Sequence, residues 1–240
     1  MPSSINRPVM TCSYANAATL AQHVAGGVVT NAEEAYRFVY LYGPTAVGKT
    51  TLLSEIERKI GLVSPEKRVK RFSLYGFTSN LLDAMKARSV DAFRAELTGC
   101  CDVLLLDDLH FLEGKFATQE ELARILDALL AAGKRVVLAG EKPLYAYTAL
   151  DARLASRIAA STMVAMEYPD ADTLAGLAKS QLLDMGIPFD PAVPDRIAEV
   201  TGNLAALQGA MNQIRVQEVF RFVPLTKNNI DFILAGRSEE

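Results

Sequence analysis

Residues Gly43-Pro44-Thr45-Ala46-Val47-Gly48-Lys49-Thr50 have the types and spacing needed to hold a chain of phosphates. Gly43 and Gly48 let successive backbone N–H groups turn toward one point with no Cβ in the way. Lys49 adds a cation for the β- and γ-phosphates, and the Thr50 hydroxyl is a hard oxygen suited to Mg²⁺. With Thr51 they form the expected nucleotide-binding set, the ligand being ATP or ADP with Mg²⁺. The apolar run Phe38-Val39-Tyr40-Leu41-Tyr42 precedes the loop, and Leu52, Leu53, Ile56 and Ile60 follow it at helical spacing. Strand, loop, helix is the context this motif requires, and a helix beginning near Lys49 turns its positive end to the same anion.

A second constellation lies downstream. Val103-Leu104-Leu105-Leu106-Asp107-Asp108 reads as a buried strand ending in two carboxylates. Magnesium on a triphosphate takes hard oxygens and keeps several waters, so Asp107 is expected to hold it with Thr50, partly through water. Carboxyl ends of strands face the ligand in an open parallel sheet. Asp108 is then expected to orient or deprotonate an attacking water, which makes Asp108 and Lys49 candidate catalytic residues.

Both motifs need a scaffold of alternating strands and helices, and the chain supplies one. Strands are expected at residues 38–42, 69–74, 103–107, 135–139 and 163–166, with helices over 49–60, 79–86, 91–97 and 119–130 between them. Apolar strands between helices imply an α/β fold, a parallel sheet with helices on both faces, as in P-loop NTPases. Ser13–Ala25 reads as a further helix before the first of these strands, and Met1–Thr11 as a polar, loose segment. The character changes at Pro169, beyond which only helical spacing is found. The expected division is a flexible start over 1–12, a nucleotide-binding domain over 13–169 and a small helical lid over 170–240.

Composition limits the alternatives. A net charge of −3 argues against a molecule built as an electrostatic trap for nucleic acid. The one dense basic run, Lys67-Arg68-Val69-Lys70-Arg71, reads first as a solvated strand edge and leaves open only weak backbone contacts to single-stranded DNA. No apolar run is long enough to span a bilayer, and the amino terminus lacks a signal-peptide pattern. Three cysteines without metal-ligand spacing fit the cytoplasm, with Cys100-Cys101 expected as reduced core thiols.

The run Asp102-Val103-Leu104-Leu105-Leu106-Asp107-Asp108-Leu109-His110-Phe111-Leu112, with Gly114-Lys115 and Thr118-Gln119-Glu120-Glu121, closely resembles the ATPase module of the bacterial replication initiators, the DnaA family. The likeness continues through Arg153-Leu154-Ala155-Ser156-Arg157, Tyr168-Pro169-Asp170 and Gly202-Asn203 with Leu207-Gln208-Gly209-Ala210. It implies an AAA+ fold, a five-stranded parallel sheet of order 5-1-4-3-2 with a helical lid. By resemblance Arg157 matches the arginine finger that reaches a neighbouring subunit's nucleotide, the third candidate catalytic residue and a route to a homo-oligomer. Arg153, four residues earlier, would support it. Glu141 retains the one acid of the family's polar sensor, here Ala139-Gly140-Glu141. The lid arginine of the family is Ala205, which implies weaker discrimination of ATP from ADP and slower hydrolysis. The family's carboxyl-terminal helix-turn-helix has no counterpart in these residues, so sequence-specific duplex binding is not expected.

Three functions follow from this reading. The leading one is a DnaA-like AAA+ protein, in replication initiation or its regulation as in the Hda branch, that acts through the initiator DnaA or another replication protein. The others are a helicase-loader-like ATPase on single-stranded DNA and a nucleotide-gated interaction module that does not hydrolyse.

Overall fold

A computed structural model describes residues 10–12, Val24, 36–221 and 224–234, with the backbone alone described at 10–12 and 217–221. The chain divides into two compact units, Met1–Glu167 and Tyr168–Glu240.

The first unit is organised by strands β1 (Met10–Cys12), β2 (Phe38–Tyr42), β3 (Val69–Ser73), β4 (Val103–Asp107), β5 (Arg135–Gly140) and β6 (Thr162–Met166). They form one six-stranded sheet, ordered β1-β6-β2-β5-β4-β3, with every pairing parallel. The five expected strands take the expected order 5-1-4-3-2. The sixth is β1, which corrects the expectation of a loose start for these three residues. Three residues are too few to display a periodicity, and β1 is held by its ladder to β6, Met10 opposite Val164 through Cys12 opposite Met166. The expected helix Ser13–Ala25 lies outside the described residues except Val24, which is helical and buried.

Helices α1 (Lys49–Val63), α2 (Leu74–Lys86), α3 (Val90–Cys100), α4 (Phe116–Ala131) and α5 (Ala152–Ala159) accompany the strands. All five residues of β4 and all six of β5 are buried, because both faces of these strands are covered. Alternate side chains feed two separate layers. Val103, Leu105, Val137 and Ala139 meet Leu52, Leu53, Ile56 and Ile60 of α1. Leu104, Leu106, Val136 and Leu138 meet Leu122, Ile125, Leu126 and Leu129 of α4, with Leu154 and Ile158 of α5. Full burial of each such side chain contributes about 1.5–3 kcal/mol, enough to fix strand register.

Helix α2 begins at Leu74, five residues before the expected start. Ser73 caps it by accepting from the Gly76 N–H at 3.2 Å, and Leu74, Phe77, Thr78 and Leu81 are buried at helical spacing. Cys101 is buried, and burial pushes its thiol up to about 11, so it is inert at neutral pH. Cys100 is exposed, so the expected core pair is one core thiol only: α3 ends at Cys100 and the chain turns inward after it.

Two of the four cations in the basic run are paired at its own sheet edge. Arg68 donates to the Gly99 carbonyl at 2.7 Å and pairs with Asp102 at 3.6 Å. Arg71 donates to the Ser54 hydroxyl at 2.6 Å and pairs with Glu57 at 3.7 Å.

The second unit contains α6 (Ala171–Asp184), α7 (Val193–Thr201), α8 (Leu204–Arg221) and the short α9 (Ile230–Leu234). Asp170 caps α6 by accepting from the Thr173 N–H at 2.8 Å. Leu174, Leu182, Ile197, Leu207, Met211 and Ile230 belong to its core. A forked Arg196–Asp231 pair at 2.9 and 3.0 Å ties α7 to α9. The one strand-like contact among its described residues is an isolated bridge between Phe189 and Leu225. Ala205 lies exposed in the first turn of α8, where Asn203 accepts from the Ala206 N–H at 2.9 Å.

Candidate functional site

The loop from Gly43 to Gly48 joins β2 to α1 at the carboxyl end of the sheet. Two backbone features shape it. A Cβ at Gly43 would stand 2.3 Å from the Met166 carbonyl oxygen, so only glycine lets the chain pass this close to β6. Gly48 takes φ 99° as the residue before α1, and Ala46 takes φ 64°. The left-handed conformation costs an L-residue such as Ala46 about 1–2 kcal/mol, and it alternates the direction of successive N–H groups into a concave nest.

Lys49 is buried, and its ammonium donates to the carbonyls of Gly43 and Pro44, both at 2.7 Å. Burial pushes its pKa down, while Glu141, then Asp107 and Asp108, pull it back part of the way. The cation is therefore held over the mouth of the loop by two neutral acceptors, which a phosphate oxygen would replace with a charged one.

The acidic strand end meets the loop directly. Thr50 donates its hydroxyl proton to Asp107 Oδ2 at 2.7 Å, so the two expected Mg²⁺ ligands are already adjacent. The other Asp107 oxygen accepts from the Asp108 N–H at 2.9 Å. This pair of hard oxygens, one hydroxyl and one buried carboxylate, fits a Mg²⁺ that takes its remaining ligands from phosphate and water. Asp108 adopts φ 67°, a conformation that Asp and Asn tolerate better than most residues. Burial, and next the Asp107 charge, push its carboxyl above the usual range and make it a stronger base.

Glu141 follows β5 and accepts from the Thr45 hydroxyl at 3.2 Å. His110 Nδ1 lies 3.9 Å from the same Glu141 oxygen. Loop, acidic pair and Glu141 thus converge on one place. Thr51 begins the exposed side of α1.

Arg153 and Arg157 do not join them. Both lie on α5 and turn to Asp127 of α4: Arg153 pairs with one carboxylate oxygen at 2.7 Å and Arg157 with the other. Sequence reasoning missed Asp127, whose neighbours on α4 give no charge pattern pointing to α5. It also missed Gln119, which is fully buried and donates to the carbonyls of Leu112 and Ala149 at 2.5 and 2.9 Å. Its side-chain oxygen accepts from the Asp151 N–H, and Asp151 in turn caps α5 by accepting from the N–H groups of Arg153 and Leu154. Nothing but its place after Thr118 marked it.

The family model for the bacterial DnaA ATPase domain matches residues 11–165, well over half of the chain. The chain belongs to the DnaA ATPase-domain family. The DnaA initiator of Chloroflexus aggregans is 31% identical over 217 residues, covering 90% of this chain and 45% of that protein. The chain thus spans about half the length of the curated DnaA relatives it matches. Domain III of Thermotoga maritima DnaA superposes with a TM-score of 0.80 at 26% identity, covering 94% of this chain and 92% of that one. A DnaA bound to AMPPCP and single-stranded DNA superposes with a TM-score of 0.71 at 28% identity, covering 82% of this chain and 60% of that one. The fold is accordingly that of the AAA+ DnaA module. No helix among the described residues is long and apolar enough to cross a membrane.

Proposed function

We propose that this chain is a nucleotide-switched AAA+ module of the DnaA class, which binds ATP or ADP and hydrolyses ATP when Arg157 of another subunit completes the site. The observation that carries this reading is the division of labour within one chain. The phosphate loop, Asp107 and Asp108 form a contiguous half-site, whereas Arg157 pairs away from it. Lys49 exchanges its two carbonyl acceptors for β- and γ-phosphate oxygens. Thr50 and Asp107 would hold Mg²⁺, which would neutralise charge on the phosphates. Asp108 positions the attacking water and takes its proton, while Glu141 fixes Thr45 of the loop. An arginine supplied in trans stabilises the charge of the transferring phosphoryl group. Ala205, at the position of the family's lid arginine, supports slow turnover by an isolated subunit. The partner is a second copy or the replication initiator DnaA itself, as in the Hda branch.

The test is ATP turnover per molecule over a wide range of protein concentration. A rate per molecule that climbs with concentration is expected, with Arg157→Ala flattening the climb while nucleotide still binds. If no climb occurs, addition of DnaA is expected to restore one through Arg157. An Arg157→Ala chain that matches the parent in both settings removes the finger from the mechanism.

A second reading, a module on single-stranded DNA, is favoured by a different observation than the basic run. An open cavity of about 550 Å³ lies between α2 and the start of α4, lined by Tyr75, Thr78, Leu82, Lys115 and Phe116. Tyr75 and Phe116 are both more than half exposed, and bases stack on such rings for about 1–3 kcal/mol each. With one lysine in the lining, binding to an oligothymidylate should be weak and fall only shallowly with salt. Tyr75→Ala is expected to abolish it; affinity unchanged by that substitution, or no binding at low salt, removes this reading.

A further inference from the structure

The two arginines of α5 share a single carboxylate. Asp127 gives one oxygen to Arg153 and the other to Arg157, and its side chain is only 25% exposed against 42% for Arg157. Arg153 and Arg157 stand one helical turn apart on the same face, so their like charges repel unless an anion lies between them. The support beneath is rigid. Gln119 and Asp127 both belong to α4, and Gln119 fixes through Asp151 the amino end of the helix that carries both arginines. Helix α4 therefore holds α5 at its amino end through Gln119 and, through Asp127, by the guanidiniums of its first and second turns.

We propose that Asp127 is the positioning residue of the trans-acting arginine: it keeps Arg157 extended beside Arg153, ready for a neighbour's triphosphate. This rests on the reading of Arg157 as a finger. Two effects oppose each other. Asp127 competes with phosphate for Arg157, and an ion pair exposed to this degree weighs at most about fivefold in an equilibrium. The same fivefold bounds how far the pair biases Arg157 toward its extended rotamers, because the side-chain entropy is already counted in it. The guanidinium has five N–H donors, so it keeps its Asp127 contact while turning others to a phosphate, and the competition falls away. Positioning wins, so removing the carboxylate slows the reaction. Net charge points the same way: two guanidiniums and one carboxylate still present one positive charge to an incoming anion.

Mixed subunits test this. The recipient carries Arg157→Ala and keeps its phosphate loop. The donor carries Lys49→Ala and keeps its finger. Stimulation of turnover on mixing reads the donor's arginine alone. Asp127→Asn in the donor is expected to lower that stimulation by up to about fivefold, while the same substitution in the recipient leaves it unaltered and thermal melting shows both variants folded. Asp127→Glu in the donor is expected to recover part of the loss. Full stimulation with Asp127→Asn in the donor overturns the positioning role alone. An equal loss from either side reduces Asp127 to a structural contact and overturns it too. Absence of stimulation with the unmodified finger overturns the finger reading, and the proposal with it.

Discussion

Lys49→Ala lowers nucleotide affinity by at least about 100-fold, a charge-assisted contact to phosphate being among the strongest single interactions in such a site. The melting temperature is expected to stay level or rise. Lys49 is a buried cation whose two partners are neutral carbonyls, and burial pushes its pKa down, so the folded chain holds it against its own preference. Alanine also suits the first turn of α1 better than a desolvated ammonium. Isothermal titration with ADP and thermal melting, run on the same sample, check both halves. A variant that binds normally removes Lys49 from the site, and one that melts far lower shows that the ammonium supports the fold.

Asp108→Asn lowers finger-stimulated turnover by about 100-fold or more while leaving nucleotide affinity within a few-fold, because a general base contributes about 10²–10⁴ to rate. The substitution isolates the chemistry. Asp108 stands at φ 67°, a left-handed conformation in which Asn is at least as comfortable, and its bond to the Asp107 carboxylate is donated by its backbone N–H, which the substitution keeps. Asp108→Glu is a poorer probe for the same reason, since the longer side chain gains nothing from that backbone. Single-turnover hydrolysis in the presence of the finger donor separates the outcomes: a variant that binds and turns over normally shifts the water-positioning role elsewhere, with Glu141 the next carboxylate at the site.

Much of this was legible before any coordinates. The phosphate loop announces itself because its chemistry is written in backbone, and backbone close to an anion demands glycine at particular steps. Strand β4 was readable because burial on both faces leaves an unbroken apolar run, Val103 to Leu106, with Asp107 and Asp108 where the run stops. Other features are set by contacts between elements far apart in sequence. The start of α2 was hidden because Leu74 serves equally as the end of a strand, and only the cap supplied by Ser73 decides. The pairing of Arg157 with Asp127 depends on how α4 packs on α5, for which neither helix carries a local signal. The basic run reads as a solvated strand edge, and the partners that hold Arg68 and Arg71 there, Asp102, Gly99, Ser54 and Glu57, are distant along the chain and carry no local signal.

The short strand β1 ties the edge of the sheet to the backbone that walls the loop. Its last rung sets Cys12 opposite Met166, and the Met166 carbonyl is the atom against which Gly43 is pressed. The outermost strand is thus joined through β6 to the wall behind the loop, over a path of two strands and no side chains.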